Sequence, residues 1–163
     1  MQQTQHTISV LVKNEAGALS RMVGLFSARG YNIESLTVAN TLDSKYARAT
    51  ISVSNCEASV VEQILKQLHK LIPVIKVAEL NNENSTTLEL VLIKVDAKNE
   101  TGELLKIAET FGAKIIDVSP KTYTIQAVCD EKQFKSLIEL LRPVGIKEIV
   151  RSGAVSILSN NMI

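Results

Sequence analysis

Residues 8–40 read ISVLVKNEAGALSRMVGLFSARGYNIESLTVAN, and this stretch decides the fold. Ile8, Val10 and Val12 alternate with Thr7, Ser9 and Leu11, the period of a short strand with one strongly apolar face. Asn14-Glu15-Ala16-Gly17 breaks the alternation. Leu19, Met22, Val23 and Phe26 then recur at i, i+3, i+4 and i+7, which sets them on one side of a helix. Gly30 suits the left-handed position just past a helix, because it has no Cβ to clash there. Ile33 to Ala39 returns to period two, with Leu36 and Val38 on alternate positions.

Working outward, Asn40 to Lys45 is polar and turn-like. In the third strand Ala47, Ala49, Ile51 and Val53 face one way, and Arg48, Thr50 and Ser52 the other. Ser54-Asn55-Cys56-Glu57 reads as a capping box opening a second helix, along which Val60, Val61, Ile64, Leu65 and Leu68 share a side. Pro73 ends that helix, and Val74 to Leu80 makes a fourth strand. The order is strand, helix, strand, strand, helix, strand. It predicts the ferredoxin-like split βαβ arrangement, an antiparallel sheet with both helices on one face.

Asn81-Asn82-Glu83-Asn84-Ser85-Thr86-Thr87 is composed like a linker, and a similar order restarts after it. Leu88 to Val95 is almost wholly apolar, as a central strand is. Leu104, Ala108 and Phe111 space as a helix. Ile115 to Val118 and Tyr123 to Val128 are strands around a Ser119-Pro120-Lys121 turn. Asp130-Glu131-Lys132-Gln133 caps a helix bearing Phe134, Leu137, Ile138 and Leu141, and Pro143 stops it. Ile146 to Val150 returns, and Ala154 to Leu158 adds a strand. The expected fold is α+β, with tandem ferredoxin-like βαββαβ domains at 1–80 and 88–163 joined by a linker at 81–87.

Composition narrows the function. The 163 residues carry 18 basic and 17 acidic side chains, for a net charge of +1, so the basic excess of a nucleic-acid binder is missing. RNA-binding domains of this order stack bases on aromatics of the central strands, and neither Ile8–Val12 nor Ala47–Val53 holds one. No apolar run reaches membrane-spanning length, and Met1 to His6 lacks the features of a signal peptide, which points to a cytoplasmic protein. Cys56 and Cys129 are far apart and read as free thiols. His6 and His69 read as surface residues. The sequence contains no Walker loop, no G-x-G-x-x-G, no nucleophile elbow and no D-x-D cation loop. No catalytic residue and no metal ligand is assigned.

Asn14 to Leu19 is the informative loop. A helix N-terminus offers unpaired N–H groups and partial positive charge, a natural seat for a carboxylate. Gly17 permits close approach of a ligand, and Asn14 can accept from an ammonium group or donate to a carboxylate. Ala18, Leu19 and Ile33 can wall a small apolar side chain, so an α-amino acid fits. The residues alone favour the plainer reading, in which Asn14 and Gly17 are turn and cap residues.

A resemblance changes that balance. Asn14-Glu15-Ala16-Gly17-Ala18-Leu19-Ser20-Arg21, followed by Leu25 to Val38, resembles ACT domains, above all that of the small regulatory subunit of acetolactate synthase. Ile115-Ile116-Asp117-Val118, Tyr123-Thr124-Ile125-Gln126 and Arg151-Ser152-Gly153 are similar to that family's C-terminal domain, although threonine is more usual than Ser152. The resemblance implies a homodimer of side-by-side ACT domains with an effector, usually valine, at their interface. It assigns Asn14, Gly17, Ala18 and Leu19 of one protomer and Asn32 and Ile33 of the other to that site. It further implies a catalytic large subunit that carries thiamine diphosphate, magnesium and FAD and makes acetolactate from pyruvate. This chain would bind none of those cofactors and would activate its partner and confer feedback inhibition. Which branched-chain amino acid is preferred is not legible in the residues. A stand-alone tandem ACT sensor acting on another enzyme or regulator is the alternative. An acylphosphatase-type hydrolase is disfavoured, since Asn14 to Leu19 lacks the arginine that its phosphate loop needs.

Overall fold

The computed structural model describes residues 5–54, 56–80, 84–97 and 101–159. They form two compact units, residues 1–87 with 154–163 and residues 88–153.

The first unit runs β1 (Gln5–Lys13), α1 (Ala18–Ser27), β2 (Ile33–Asn40), β3 (Tyr46–Ser54), α2 (Ala58–His69) and β4 (Val74–Leu80). Its sheet has the order β2-β3-β1-β4, and every neighbouring pair is antiparallel. The register sets Ile8 opposite Ile51, Val10 opposite Ala49 and Val12 opposite Ala47, so the alternating apolar residues of β1 and β3 share one face. There they pack with Ala18, Met22, Leu25 and Phe26 of α1 and Val61, Ile64 and Leu68 of α2 as one buried core. Burial of these side chains is the main favourable term holding the unit together. The other face carries small hydroxyl residues on its central strands. Ser9 lies opposite Thr50 and Thr7 opposite Ser52, and Ser9, Thr50 and Ser52 are all buried.

The second unit repeats the plan with β5 (Ser85–Asp96), α3 (Thr101–Thr110), β6 (Lys114–Val118), β7 (Thr122–Cys129), α4 (Glu131–Leu141) and β8 (Ile146–Arg151). The order β6-β7-β5-β8 matches β2-β3-β1-β4 position for position. Val91, Ile93 and Val95 of β5 and Ile125 and Ala127 of β7 are buried with Leu104 and Ile107 of α3 and Leu137 and Leu141 of α4. The chain then continues into β9 (Val155–Leu158), which also pairs with β5. The α+β fold of two βαββαβ arrangements is thus as expected.

Several local expectations change. Helix α1 buries Ala18, Met22, Leu25 and Phe26, while Leu19 is 43% exposed. The helix starts at Ala18, and positions 18, 22, 25 and 26 form the inward stripe. The box expected at Ser54 is not formed. Helix α2 starts at Ala58 after Glu57 with no side-chain cap, and Ser54 Oγ donates to Glu34 Oε1 at 2.5 Å instead. Asn55 lies outside the described residues. The box expected at Asp130 is complete: Gln133 N donates to Asp130 Oδ1 at 2.7 Å, and Asp130 N to Gln133 Oε1 at 3.1 Å.

In the expected linker, Ser85, Thr86 and Thr87 belong to β5, because polar side chains do not prevent a strand whose backbone is paired. Residues 81–83 lie outside the described residues. By contact, Ala154 to Ser159 group with the first unit, although β9 among them pairs with β5. His6, expected at the surface, has a side chain only 15% exposed, and its Nδ1 lies 2.8 Å from Glu79 Oε1. His69 is exposed at the last residue of α2. No helix among the described residues is long and apolar enough to cross a membrane.

Candidate functional site

The loop between β1 and α1 is held from both sides by backbone hydrogen bonds. Lys13 N donates to Pro73 O at 2.8 Å, and Asn14 N donates to Lys45 O at 2.8 Å. The Asn14 side chain adds a bond of its own, Nδ2 to Ser44 O at 2.9 Å. One of its two amide N–H donors is therefore taken by the β2–β3 turn, which leaves Oδ1 as an acceptor and the second N–H as a donor. Sequence reasoning left Asn14 able to accept or to donate, and the bond to Ser44 O fixes the direction in which its amide points. Ser44 and Lys45 were not foreseen in this role. They act through main-chain carbonyls, which leave no mark in the side-chain pattern.

Gly17 sits before α1 with φ +82°, in the left-handed region. A Cβ there would meet nothing within 4 Å, so backbone conformation, not lack of space in the free chain, asks for glycine. No side chain caps α1, and Arg21 N to Gly17 O, at 3.0 Å, is its first i to i−4 bond. The N–H groups of Leu19 and Ser20, in the first turn, have no intrahelical acceptor by construction. The Ala18 N–H already has an acceptor, Glu15 O at 3.2 Å. Ala18 is buried and Leu19 exposed, so Leu19 is the apolar side chain presented outward at this helix end. Arg21 Nη1 lies 3.3 Å from Glu15 Oε1, an exposed pair flanking the loop.

Asn32 and Ile33 lie elsewhere. Ile33 opens β2 opposite Val53, whereas Asn40, at the other end of β2, lies opposite Ala47 beside the β1–α1 loop. Strand rise alone puts about 23 Å between the two ends of β2. One chain therefore brings Asn14, Gly17, Ala18 and Leu19 together and leaves Asn32 and Ile33 at the opposite end of the sheet. Asn32 Nδ2 donates to Glu34 Oε1 at 3.2 Å, the atom that also accepts from Ser54.

Among the described residues no cluster of three or more His, Cys, Asp or Glu is placed to hold a metal ion. Cys56 is partly buried, with its thiol 3.4 Å from Ser54 O. Cys129 is buried, and burial, reinforced by the nearby Glu89 carboxylate, pushes its thiol pKa up, away from a reactive thiolate.

Comparison with known proteins agrees with this architecture. Residues 8–76 match the AHAS small subunit-like ACT domain family, and residues 88–160 match the family described as small subunit of acetolactate synthase. A probable acetolactate synthase small subunit of Archaeoglobus fulgidus is 46% identical over 158 residues, covering 96% of this chain and 98% of that one. The acetolactate synthase small subunit of Mycolicibacterium smegmatis is 46% identical over 153 residues, covering 93% and 89%. The crystal structure of the small subunit from Thermotoga maritima superposes with a TM-score of 0.86 at 33% identity, covering 98% of this chain and 99% of that one. With both units matched and nearly the full length aligned, the chain belongs to the acetolactate synthase small-subunit family.

Proposed function

We propose that this chain is the non-catalytic regulatory subunit of a cytoplasmic acetolactate synthase in branched-chain amino acid synthesis, and that it binds valine between the ACT units of a homodimer. The observation that carries the ligand site is the end of the first sheet. An uncapped helix start follows a left-handed glycine, next to an asparagine whose amide oxygen is left to accept. The α-carboxylate meets the N–H groups of Gly17, Leu19 and Ser20, and the ammonium meets Asn14 Oδ1. Ala18 N–H joins only if the ligand displaces its bond to Glu15 O. The branched side chain lies against Leu19.

The distance between the Asn14 loop and Asn32–Ile33 supports a site made by two chains. Strand β2 is an edge of its sheet. Two such edges aligned antiparallel about a twofold axis bring the start of one β2 beside the end of the other, which carries Asn32 and Ile33 to the partner's Asn14 loop.

The catalytic large subunit supplies thiamine diphosphate, magnesium and FAD, and this chain raises its activity and confers inhibition. Inhibition requires valine to favour one state of the complex; a coupling of about 1–3 kcal/mol gives a roughly 5–150-fold effect. A ligand of about eight heavy atoms is limited to modest affinity, so binding in the micromolar to sub-millimolar range is expected.

Calorimetric titration of the purified chain with valine, leucine, isoleucine and serine tests the site. Saturable heat from branched residues and none from serine is the expected result. Heat from none of them, together with an acetolactate-forming activity that valine leaves unchanged in the reconstituted pair, would remove effector binding from the proposal.

A further inference from the structure

The β1–α1 loop has a second side. Its bond from Lys13 N to Pro73 O ties it to the turn between α2 and β4, on the edge of the sheet away from β2. That turn pushes an aliphatic side chain into water. Leu71 N and Val74 N bond back to Leu68 O and Leu71 O, Leu71 packs on the core and Pro73 is buried. Ile72, between them, is 88% exposed. A second aliphatic follows. The β1–β4 register pairs Val12 with Val74 and Leu11 with Lys76, so Ile75 is the extra residue of a β-bulge and is 46% exposed. A bulge re-aims a side chain in this way at sheet edges.

Exposed basic side chains lie in and beside this turn, with Lys66 paired to Glu62 at 2.6 Å. Residues 66–77 contain Lys66, His69, Lys70 and Lys76 and no acidic residue. His69, Lys70 and the neighbouring Lys13 are exposed. Two large aliphatics at a basic corner fit an apolar pocket with an acidic rim. A second copy of the same corner would bring lysine against lysine, and the dimer proposed above uses the opposite edge.

We infer that the corner formed by Ile72 and Ile75, rimmed by Lys13, His69 and Lys70, is the surface that docks on the catalytic subunit. This rests on the regulatory-subunit reading. It deepens that reading by giving regulation a short physical route: the effector loop is bonded to the β2–β3 turn through Asn14 and to the docking corner through Lys13.

The test is titration of the catalytic subunit with the full-length chain, its Ile72→Asp variant and its Lys70→Glu variant, reading acetolactate formation. Sedimentation and valine calorimetry are run on each chain alone. Both positions are exposed, so folding, dimerisation and valine binding should match the parent. Ile72→Asp should raise the concentration for half-maximal activation by at least about tenfold, as loss of a buried anchor does. Lys70→Glu should raise it less and flatten its dependence on salt. Activation curves that superimpose on the parent's would overturn the docking corner while leaving the regulatory role standing. Loss of the dimer in Ile72→Asp would overturn it too, by making the corner a self-interface. A parent chain that neither binds nor activates the catalytic subunit would sink both readings together.

Discussion

The two units share one strand order and differ in what they do with their helix ends. In the first, α1 and α2 both begin without a side-chain cap. In the second, α4 begins with a complete capping box, and the same corner holds a clamp. Arg151 Nε and Nη2 donate to Glu89 at 2.9 and 2.5 Å, Nη2 also reaches Glu131 at 2.8 Å, and the guanidinium lies 4.2 Å from the Phe134 ring centroid. The carboxylates hold the guanidinium charged, with Glu89 the larger influence. One βαββαβ plan can commit its polar groups to itself or leave them open. A missing cap alone does not make a site, since α2 lacks one as well. What sets α1 apart is the left-handed Gly17 next to an Asn14 already anchored through its nitrogen.

Removing the clamp should have the largest effect. In Arg151→Ala the Glu89 side chain, 6% exposed, is left as a buried carboxylate without its partner. The expected cost is about 2–4 kcal/mol, below the fully buried case because the Arg151 side chain is 40% exposed. Hydrogen exchange should show lost protection in β5, β7 and β8 while β1 and β3 stay protected. Adding Glu89→Gln should recover part of the loss, because it removes the unpaired charge. Equal loss of protection in both sheets would break the comparison, since the clamp would then not belong to the second unit alone.

Much of this contrast was open to sequence reading, and the reasons are physical. Strand and helix periods located the elements of both units, because burial enforces them: Ile8, Val10, Val12 and Ile93 are fully or almost fully buried where the alternation put them. The Asp130–Gln133 box was legible because both partners are local in sequence. The Ser54 box misled because Ser54 has a more distant option in Glu34. The clamp went unread because Glu89 and Arg151 are 62 residues apart and meet only through the register of β5 and β8. In the candidate site, Gly17 was legible as a helix-start glycine, but its left-handed backbone was not. Nor were the carbonyls of Ser44 and Lys45, because any residue type supplies them.

Gly17 gives the next largest effect and sharpens the contrast at the ligand end. In Gly17→Ala the new Cβ meets nothing within 4 Å, so the cost is left-handed strain alone, about 1–2 kcal/mol. Gly17→Asp adds a negative charge where the proposed site would receive a carboxylate. Calorimetry with valine should show weakened binding for Ala and none for Asp, whereas Gly17→Asn, which tolerates this conformation, should fold normally. Parent-like valine affinity in the Asp variant would move the site elsewhere and leave the fold untouched.

The smallest effect compares the helix starts directly. Asp130→Ala removes the acceptor for Gln133 N while keeping the backbone N–H that donates to Gln133 Oε1, which should cost about 1 kcal/mol in denaturant unfolding. Glu57 holds the same position at α2 but caps nothing, so Glu57→Ala should stay within about 0.5 kcal/mol of the parent. The pair works as a control for the argument about α1, because both are N-cap substitutions to the same residue. If Glu57→Ala were as costly as Asp130→Ala, the uncapped ends of the first unit would be held by interactions that its hydrogen bonds do not reveal. The open N-terminus of α1 would then lose its standing as a place kept free for a carboxylate.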